Sequence, residues 1–203
     1  FPLALAGVDI KELRRGAVEA RTMSVATNVS ENPAVQSAVV LMHHYKEGKP
    51  IHDTFIFHPE LESIGKWYRQ LMAESIGKEK DITGKVVHAG MTPRSSIGST
   101  DLHSVGQLYL GGPKDKITTF VRADTKKDGP FVPDERIFPD LVPQITGKSM
   151  KQIMNAIHEG VKIAYTKNKL PFMEVTLTGI TPYAIGGFLQ FKMIEMMYLG
   201  TLM

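Results

Sequence analysis

The chain has 203 residues, of which 42% are apolar and 22% charged, as in an ordinary globular protein with one sizeable core. Its net charge is only +3 and its lysines and arginines alternate with acids, which argues against a nucleic-acid-binding protein. The absence of cysteine excludes disulfides, thiolate metal sites and cysteine nucleophiles within the chain.

The first quarter of the chain predicts helices followed by one strand. Asp9 and Glu12 have the spacing of a capping box, and Gly16 is placed to end a short helix. Asn32 followed by proline starts a second helix, which runs to Gly48. Residues 51–57 alternate and are rich in Ile, Thr and Phe, which predicts a strand.

The middle of the chain alternates between predicted helices and strands. Residues 59–77 carry apolar side chains at helical spacing, and a glycine ends the stripe. Residues 85–91 are predicted to be a strand, and residues 92–100 a loop rich in serine, glycine and proline. A helix over 101–110 and a strand over 117–123 follow.

The last third predicts one long irregular segment and then two helices around a strand. Four prolines in residues 124–147 indicate a largely irregular, mobile excursion. Helix 149–167, strand 172–177 and a nearly all-apolar final helix from Thr181 complete the chain. Strands that alternate with helices predict a three-layer α/β/α sandwich with a mainly parallel sheet. Because ligands of such sheets bind beyond the carboxyl ends of the strands, we expect loop 92–100 to matter.

Glu74 is a candidate general base. It falls in the last turn of its helix, where the macrodipole disfavours the ionised carboxylate and a designer would place lysine. Such a carboxylate suits proton removal from a carbon next to a carbonyl. The alternative is a solvated surface acid that forms an ion pair with Lys78, four residues further on.

His103 is a candidate proton shuttle. In the first turn of a helix, the positive dipole end favours the neutral ring, whereas nearby Asp101 favours the imidazolium. The alternative is a helix-start histidine that bonds to the preceding loop. The run from Gly98 to Thr100 has amides and hydroxyls that suit an anion, although an ordinary N-cap by Ser99 or Thr100 is the more frequent reason for such a run.

Absent motifs and the two ends of the chain give further expectations about cofactors, location and chain length. No dinucleotide, P-loop, zinc-protease or nucleophile-elbow motif is present, and we expect no cofactor and no metal. No apolar run approaches the roughly 20 residues of a membrane helix, and the segment that starts at Phe1 lacks the basic leader of a signal peptide, so we expect a cytoplasmic location. Both ends are apolar, which predicts a piece of a longer chain.

Two segments, Gln70–Lys78 and Ser99–Ser104, resemble signatures of the bacterial glucose-6-phosphate isomerase family. Segments Pro2–Gly7 and Thr181–Gly186 resemble further parts of the same family, in the same order. The resemblance spans the whole chain and corresponds to the second of the family's two sugar isomerase domains. It implies that residues 1–203 form a single sugar isomerase-type α/β domain, a fragment of a longer two-domain chain.

The resemblance implies an aldose–ketose isomerase that interconverts glucose 6-phosphate and fructose 6-phosphate through a cis-enediol. Glu74 would move the proton between C2 and C1, His103 would assist ring opening in the active site of a neighbouring subunit, and Gln70 would line the substrate. It also implies a cytoplasmic homodimer acting in glycolysis and gluconeogenesis, with a sugar phosphate as substrate.

Several family groups have no counterpart among these 203 residues. The resemblance puts the phosphate-binding residues and the catalytic arginine before Phe1, and the C-terminal lysine after Met203. We therefore expect the fragment alone to be inactive, because stabilisation of developing negative charge is a large part of catalysis. One alternative is a non-catalytic sugar-phosphate-binding regulatory module, which has no need for Glu74, and another is a purely structural dimerisation domain.

Overall fold

A computed structural model describes residues 1–133 and 143–203 of the protein. Its strands are β1 (Ile51–Ile56), β2 (Lys78–Lys80), β3 (Val86–Ala89), β4 (Thr92–Ile97), β5 (Lys116–Ala123) and β6 (Phe172–Leu177). Four of them form the central sheet in the order β4-β1-β5-β6, and every neighbouring pair is parallel. The other two, β2 and β3, pair as a separate antiparallel hairpin.

The described residues also form α-helices, most of which flank this sheet. They are α1 (Pro2–Leu5), α2 (Ile10–Ser24), α3 (Pro33–Lys46), α4 (Glu62–Ile76), α5 (Thr100–Gly111), α6 (Met150–Lys167) and α7 (Pro182–Leu202). Short 3₁₀ turns lie at Val29–Glu31, Pro59–Leu61 and Pro143–Ile145. No helix among the described residues has the length and apolar character needed to cross a membrane.

Buried side chains show that the sheet is covered on both faces. Helices α3, α4 and α7 pack on one face, where Leu41, Met72 and Leu199 belong to one apolar cluster. Helices α5 and α6 pack on the other face, where Tyr109 and Tyr165 surround the phenylalanines of β1 and β5. The predicted three-layer α/β/α sandwich with a parallel sheet is therefore confirmed.

The prediction that Gly16 ends a short helix is wrong, because α2 continues to Ser24. Asp9 does cap this helix, since its Oδ1 accepts hydrogen bonds from the amides of Lys11 and Glu12. Gly16 lies instead where α2 crosses α7, and a Cβ there would come within 1.9 Å of the Tyr183 carbonyl oxygen. The glycine therefore allows two backbones to touch.

Two predictions for the middle of the chain need correction. The strand predicted over residues 85–91 is present as β3, but it pairs with β2 in the small hairpin and does not enter the central sheet. Residues 92–97, predicted to be part of a loop, form the parallel strand β4. This strand lies at the edge of the sheet, where Pro93 is tolerated because only one side of the strand needs hydrogen bonds.

The predicted irregular segment 124–147 lies partly outside the described residues, which resume at Pro143. On its near side Phe131 forms an isolated antiparallel bridge with Ser149. Ser149 then starts α6 with a capping box, in which its side chain and that of Gln152 bond to each other's backbone. These contacts tie the return of the segment to the start of α6.

Candidate active site

Glu74 lies in the last turn of α4, as the sequence predicts, and its side chain is exposed. Gln70, one turn earlier and also exposed, donates a hydrogen bond from Nε2 to the Glu74 Oε1 at 3.0 Å. No ion pair joins Glu74 to Lys78 within the described residues. Gln70 therefore orients the carboxylate and leaves Oε2 free to meet a ligand.

The end of α4 is held by close backbone contacts. Gly77 follows the helix, and its amide donates to the Ala73 carbonyl at 3.3 Å. A Cβ on Gly90 would lie 3.1 Å from the Gly77 Cα, and Gly90 itself has φ +144°, which favours glycine. The return of the β2–β3 hairpin therefore packs directly beside the turn that carries Glu74.

His103 lies in the first turn of α5 and is also exposed. Asp101 is occupied elsewhere, because its Oδ2 accepts from the Ile97 amide at 2.7 Å and its Oδ1 from the Ser104 hydroxyl at 2.8 Å. These bonds fasten the turn between β4 and α5. Neither Ser99 nor Thr100 caps the helix as predicted, since Ser99 occupies the N-cap position without a side-chain hydrogen bond.

Glu74 and His103 lie at opposite ends of the sheet in one chain. Helix α4 begins after the carboxyl end of β1 and runs back along the strands, so Glu74 lies toward their amino ends. Helix α5 begins at the carboxyl end of β4, so His103 lies toward the carboxyl ends of the strands. Because the 15 residues of α4 span about 22 Å, the two side chains of one chain cannot form one acid/base pair.

In the segment from Gly98 to Thr100, Gly98 is buried, whereas Ser99 and Thr100 are exposed. With β4 extending to Ile97, only Gly98 and Ser99 link the strand to α5. A Cβ on Gly98 would lie 2.8 Å from the Phe57 ring, so this glycine is needed for packing against the end of β1. Close packing against Phe57 therefore explains why residue 98 is glycine.

The sequence reasoning missed two buried ionisable groups on β1. The Nε2 of His52 lies 2.8 Å from the Thr119 Oγ1, and burial lowers the pKa of His52 to about 3, helped by the charge of Lys192. Burial raises the pKa of Asp53 to about 6, although the Ser96 hydroxyl bonds to its Oδ1 at 3.0 Å and opposes the rise. The sequence contained a signal for them, because a central parallel strand is normally a continuous apolar run and His52 and Asp53 interrupt it.

An apolar groove of about 560 Å³ runs along the free edge of β6. Its walls come from α2, α3 and α7, and Val175, Ala20 and Phe188 are among the residues that line it. Gln70, Glu74 and His103 do not line this groove. Among the described residues, no group of three or more His, Cys, Asp or Glu side chains is arranged to hold a metal ion.

The parallel sheet between two helical layers defines an α/β domain of the three-layer sandwich class. The chain is 34% identical over 202 residues to a protein named glucose-6-phosphate isomerase from Methanocaldococcus jannaschii. This match covers 99% of the chain and 47% of that protein. A protein of the same name from Clostridium novyi is 32% identical over 191 residues, which are 94% of the chain and 41% of that protein.

Solved structures agree with these relatives. A hypothetical protein from Thermus thermophilus superposes with a TM-score of 0.90 at 28% identity, covering 99% of this chain and 47% of that one. A glucose-6-phosphate isomerase from Chlamydia trachomatis has a TM-score of 0.74 and 18% identity, covering 94% and 38%, and supports the fold alone. No protein-family model matches the chain. The resemblance to glucose-6-phosphate isomerases is thus confirmed, for a chain that spans about half the length of the curated relatives.

Proposed function

We propose that this chain is part of an aldose–ketose isomerase that interconverts glucose 6-phosphate and fructose 6-phosphate. The observation that carries the proposal is the Glu74 carboxylate, exposed at the carboxyl-terminal turn of α4 and oriented by Gln70 at 3.0 Å. Similarity to relatives that bear the isomerase name supports it over nearly the whole chain. Glycolysis and gluconeogenesis in the cytoplasm are the setting we propose.

In the proposed reaction, Glu74 acts on the open-chain sugar. Its carboxylate removes the proton from C2 of glucose 6-phosphate, which gives a cis-enediol once a proton reaches O1. Return of the carbon-bound proton from Glu74 to C1, with loss of the O2 proton, gives fructose 6-phosphate. The hydrogen bond from Gln70 fixes one carboxylate oxygen, so the other is directed toward the substrate carbon.

The remaining parts of the site would come from outside this chain. Gln70 and Glu74 are exposed on the outer face of α4, so the opposite wall of a substrate pocket must be supplied by another part of the protein. We propose that the phosphate-binding groups and the charge that stabilises the enediolate belong to that part. This agrees with a length of about half that of the relatives.

We propose that the protein acts as a homodimer in which His103 assists ring opening in the neighbouring subunit's site. The support is positional, because Glu74 and His103 of one chain lie toward opposite ends of the parallel strands. A two-fold dimer that places the amino ends of the strands of one sheet near the carboxyl ends of the strands of the other brings Glu74 of one subunit close to His103 of its partner.

The test is the conversion of fructose 6-phosphate to glucose 6-phosphate by the complete protein, measured with a coupled dehydrogenase. We expect Glu74→Gln to lower kcat by about a thousandfold or more, because the amide cannot accept the C2 proton, while a sugar-phosphate inhibitor still binds. Glu79→Gln, an exposed acid in β2, is the matched control and keeps wild-type turnover. A wild-type protein that binds the inhibitor but never turns over would favour the regulatory binding module instead.

A further inference from the structure

A buried ion pair lies inside the helical layer that carries Glu74. Lys192 and Glu195 are both fully buried on α7, and the Lys192 Nζ lies 2.9 Å and 3.0 Å from the two carboxylate oxygens of Glu195. Such a pair is expensive to desolvate, and only further hydrogen bonds to the carboxylate offset that cost. The proposed reaction uses neither residue.

The Glu195 carboxylate joins three helices. The Tyr68 hydroxyl of α4 donates to Oε2 at 2.6 Å, and the Ser37 hydroxyl of α3 donates to Oε1. Burial, with help from the negative charge of Glu195, raises the pKa of Tyr68 well above its usual value, so the phenol stays protonated and donates. The charged bond is short and directional, as expected for a hydroxyl donor to a carboxylate.

The other inward contacts of α4 are mostly apolar and less directional. Met72 and Ile76 pack into the cluster shared with α3 and α7. Gly65 lets the helix approach the sheet, since a Cβ there would meet the Ser95 hydroxyl at 2.3 Å. Such packing fixes how close α4 lies, whereas the hydrogen bond from Tyr68 fixes where it lies along and around its axis.

We propose that Tyr68, held by the buried Lys192–Glu195 pair, is a positioning residue that sets the place of Gln70 and Glu74. This inference rests on the proposed isomerase function of Glu74. Tyr68 lies two residues before Gln70 and six before Glu74 on the same rigid helix, with its ring inward and theirs outward. A shift of α4 at Tyr68 is therefore transmitted to the base.

The test compares two single hydroxyl deletions in the complete protein. Tyr68→Phe removes the bond to Glu195. The control Tyr198→Phe, on α7, removes a hydroxyl that donates to the Ser24 carbonyl at 3.1 Å and accepts from the Asn32 side chain at 3.3 Å, and neither partner belongs to α4. We expect Tyr68→Phe to lower kcat about ten- to a hundredfold with KM changed less than threefold, because a misplacement of about 1 Å has this effect on a catalytic group. Tyr198→Phe keeps kcat.

Two results would overturn the inference: an unchanged kcat in Tyr68→Phe, or an equal fall in both variants. Should Tyr68→Phe not fold, the comparison is made in the double variant Lys192→Met/Glu195→Gln, which removes both buried charges of this pair but keeps an oxygen that can accept from Tyr68. There, too, we expect the added Tyr68→Phe to lower kcat, and an unchanged kcat contradicts the proposal.

Amide hydrogen exchange separates this inference from the proposed function. If the wild-type protein has no isomerase activity, the function fails, but the position of α4 is still measurable. We expect Tyr68→Phe, and not Tyr198→Phe, to speed exchange of the amides from Gln70 to Ile76 about tenfold. Equal exchange in the two variants would show that Tyr68 does not position this part of α4.

Discussion

Asp53 shows how one buried side chain couples stability to pH. It lies on β1 facing α5, near Tyr109, Arg94 and Asp101, and its Oδ2 has no hydrogen-bond partner among the described residues. Burial raises its pKa from 3.8 to about 6, and the bond from Ser96 only partly opposes this. Between these two pH values the folded protein holds a proton that the unfolded chain has lost, so this residue makes stability fall as pH rises.

We predict that Asp53→Asn stabilises the protein more at pH 7.5 than at pH 3.5. The amide resembles the protonated acid, so it removes a penalty of about 3 kcal/mol that builds up between pH 3.8 and about 6 and is complete above the folded-state pKa. The measurement is denaturant unfolding of the 203-residue chain at both pH values, followed through Trp67, its only tryptophan. A stability difference between variant and wild type that is the same at both pH values would contradict the assigned pKa.

At the scale of elements, the crossing of α2 and α7 depends on glycines in both helices. Gly16 on α2 faces the Tyr183 carbonyl, and Gly186 on α7 faces the Leu13 carbonyl, each with 1.9 Å from a hypothetical Cβ to the oxygen. Gly187, the next residue on α7, has 3.5 Å to its nearest neighbour, which is an ordinary contact. Two adjacent glycines of one helix therefore have different roles.

We predict that Gly186→Ala lowers the free energy of unfolding by about 1–3 kcal/mol or more, because the methyl group must push two backbones apart. Gly187→Ala is the matched control and should be neutral or stabilising by up to about 1 kcal/mol, since alanine favours the helix. Denaturant unfolding of both variants makes the comparison. A neutral Gly186→Ala would mean that the two helices do not cross this closely.

At the scale of the whole molecule, the position of the proposed catalytic groups suggests an assembled site. Glu74 lies toward the amino ends of the parallel strands and His103 toward their carboxyl ends, and the two are about the length of α4 apart. Both side chains are exposed, so each is free to meet a surface from another part of the protein. A shared site between two subunits uses both groups without moving either helix.

We predict that two inactive variants of the complete protein restore activity when their subunits are exchanged. In a mixed dimer of Glu74→Gln and His103→Asn subunits, one site contains both substitutions and the other contains neither. Random mixing therefore gives about a quarter of wild-type turnover. The assay is isomerase activity after joint unfolding and refolding, with each variant refolded alone as control. Activity no higher than that of the separate variants would argue against a shared site.

The sequence predicted most helices and the layer arrangement, because caps and apolar periodicity are local signals. Asn32 and Thr181 start α3 and α7 as expected, and the stripe of α4 ends at Gly77. The strand β4 was missed because its polar composition is typical of loops, and an edge strand can tolerate it. Local signals do not reveal which strand has a neighbour on only one side.

By itself, the sequence determined the parallel α/β architecture and the placement of Glu74 and His103 in the terminal turns of their helices, since both depend on neighbours along the chain. Only the tertiary structure decided that these two residues lie toward opposite ends of the strands of one sheet. It also decided that Gly16 marks a helix crossing and that His52, Asp53, Lys192 and Glu195 are buried. Desolvation and close backbone contact arise from residues that are distant in sequence, so no local pattern reports them.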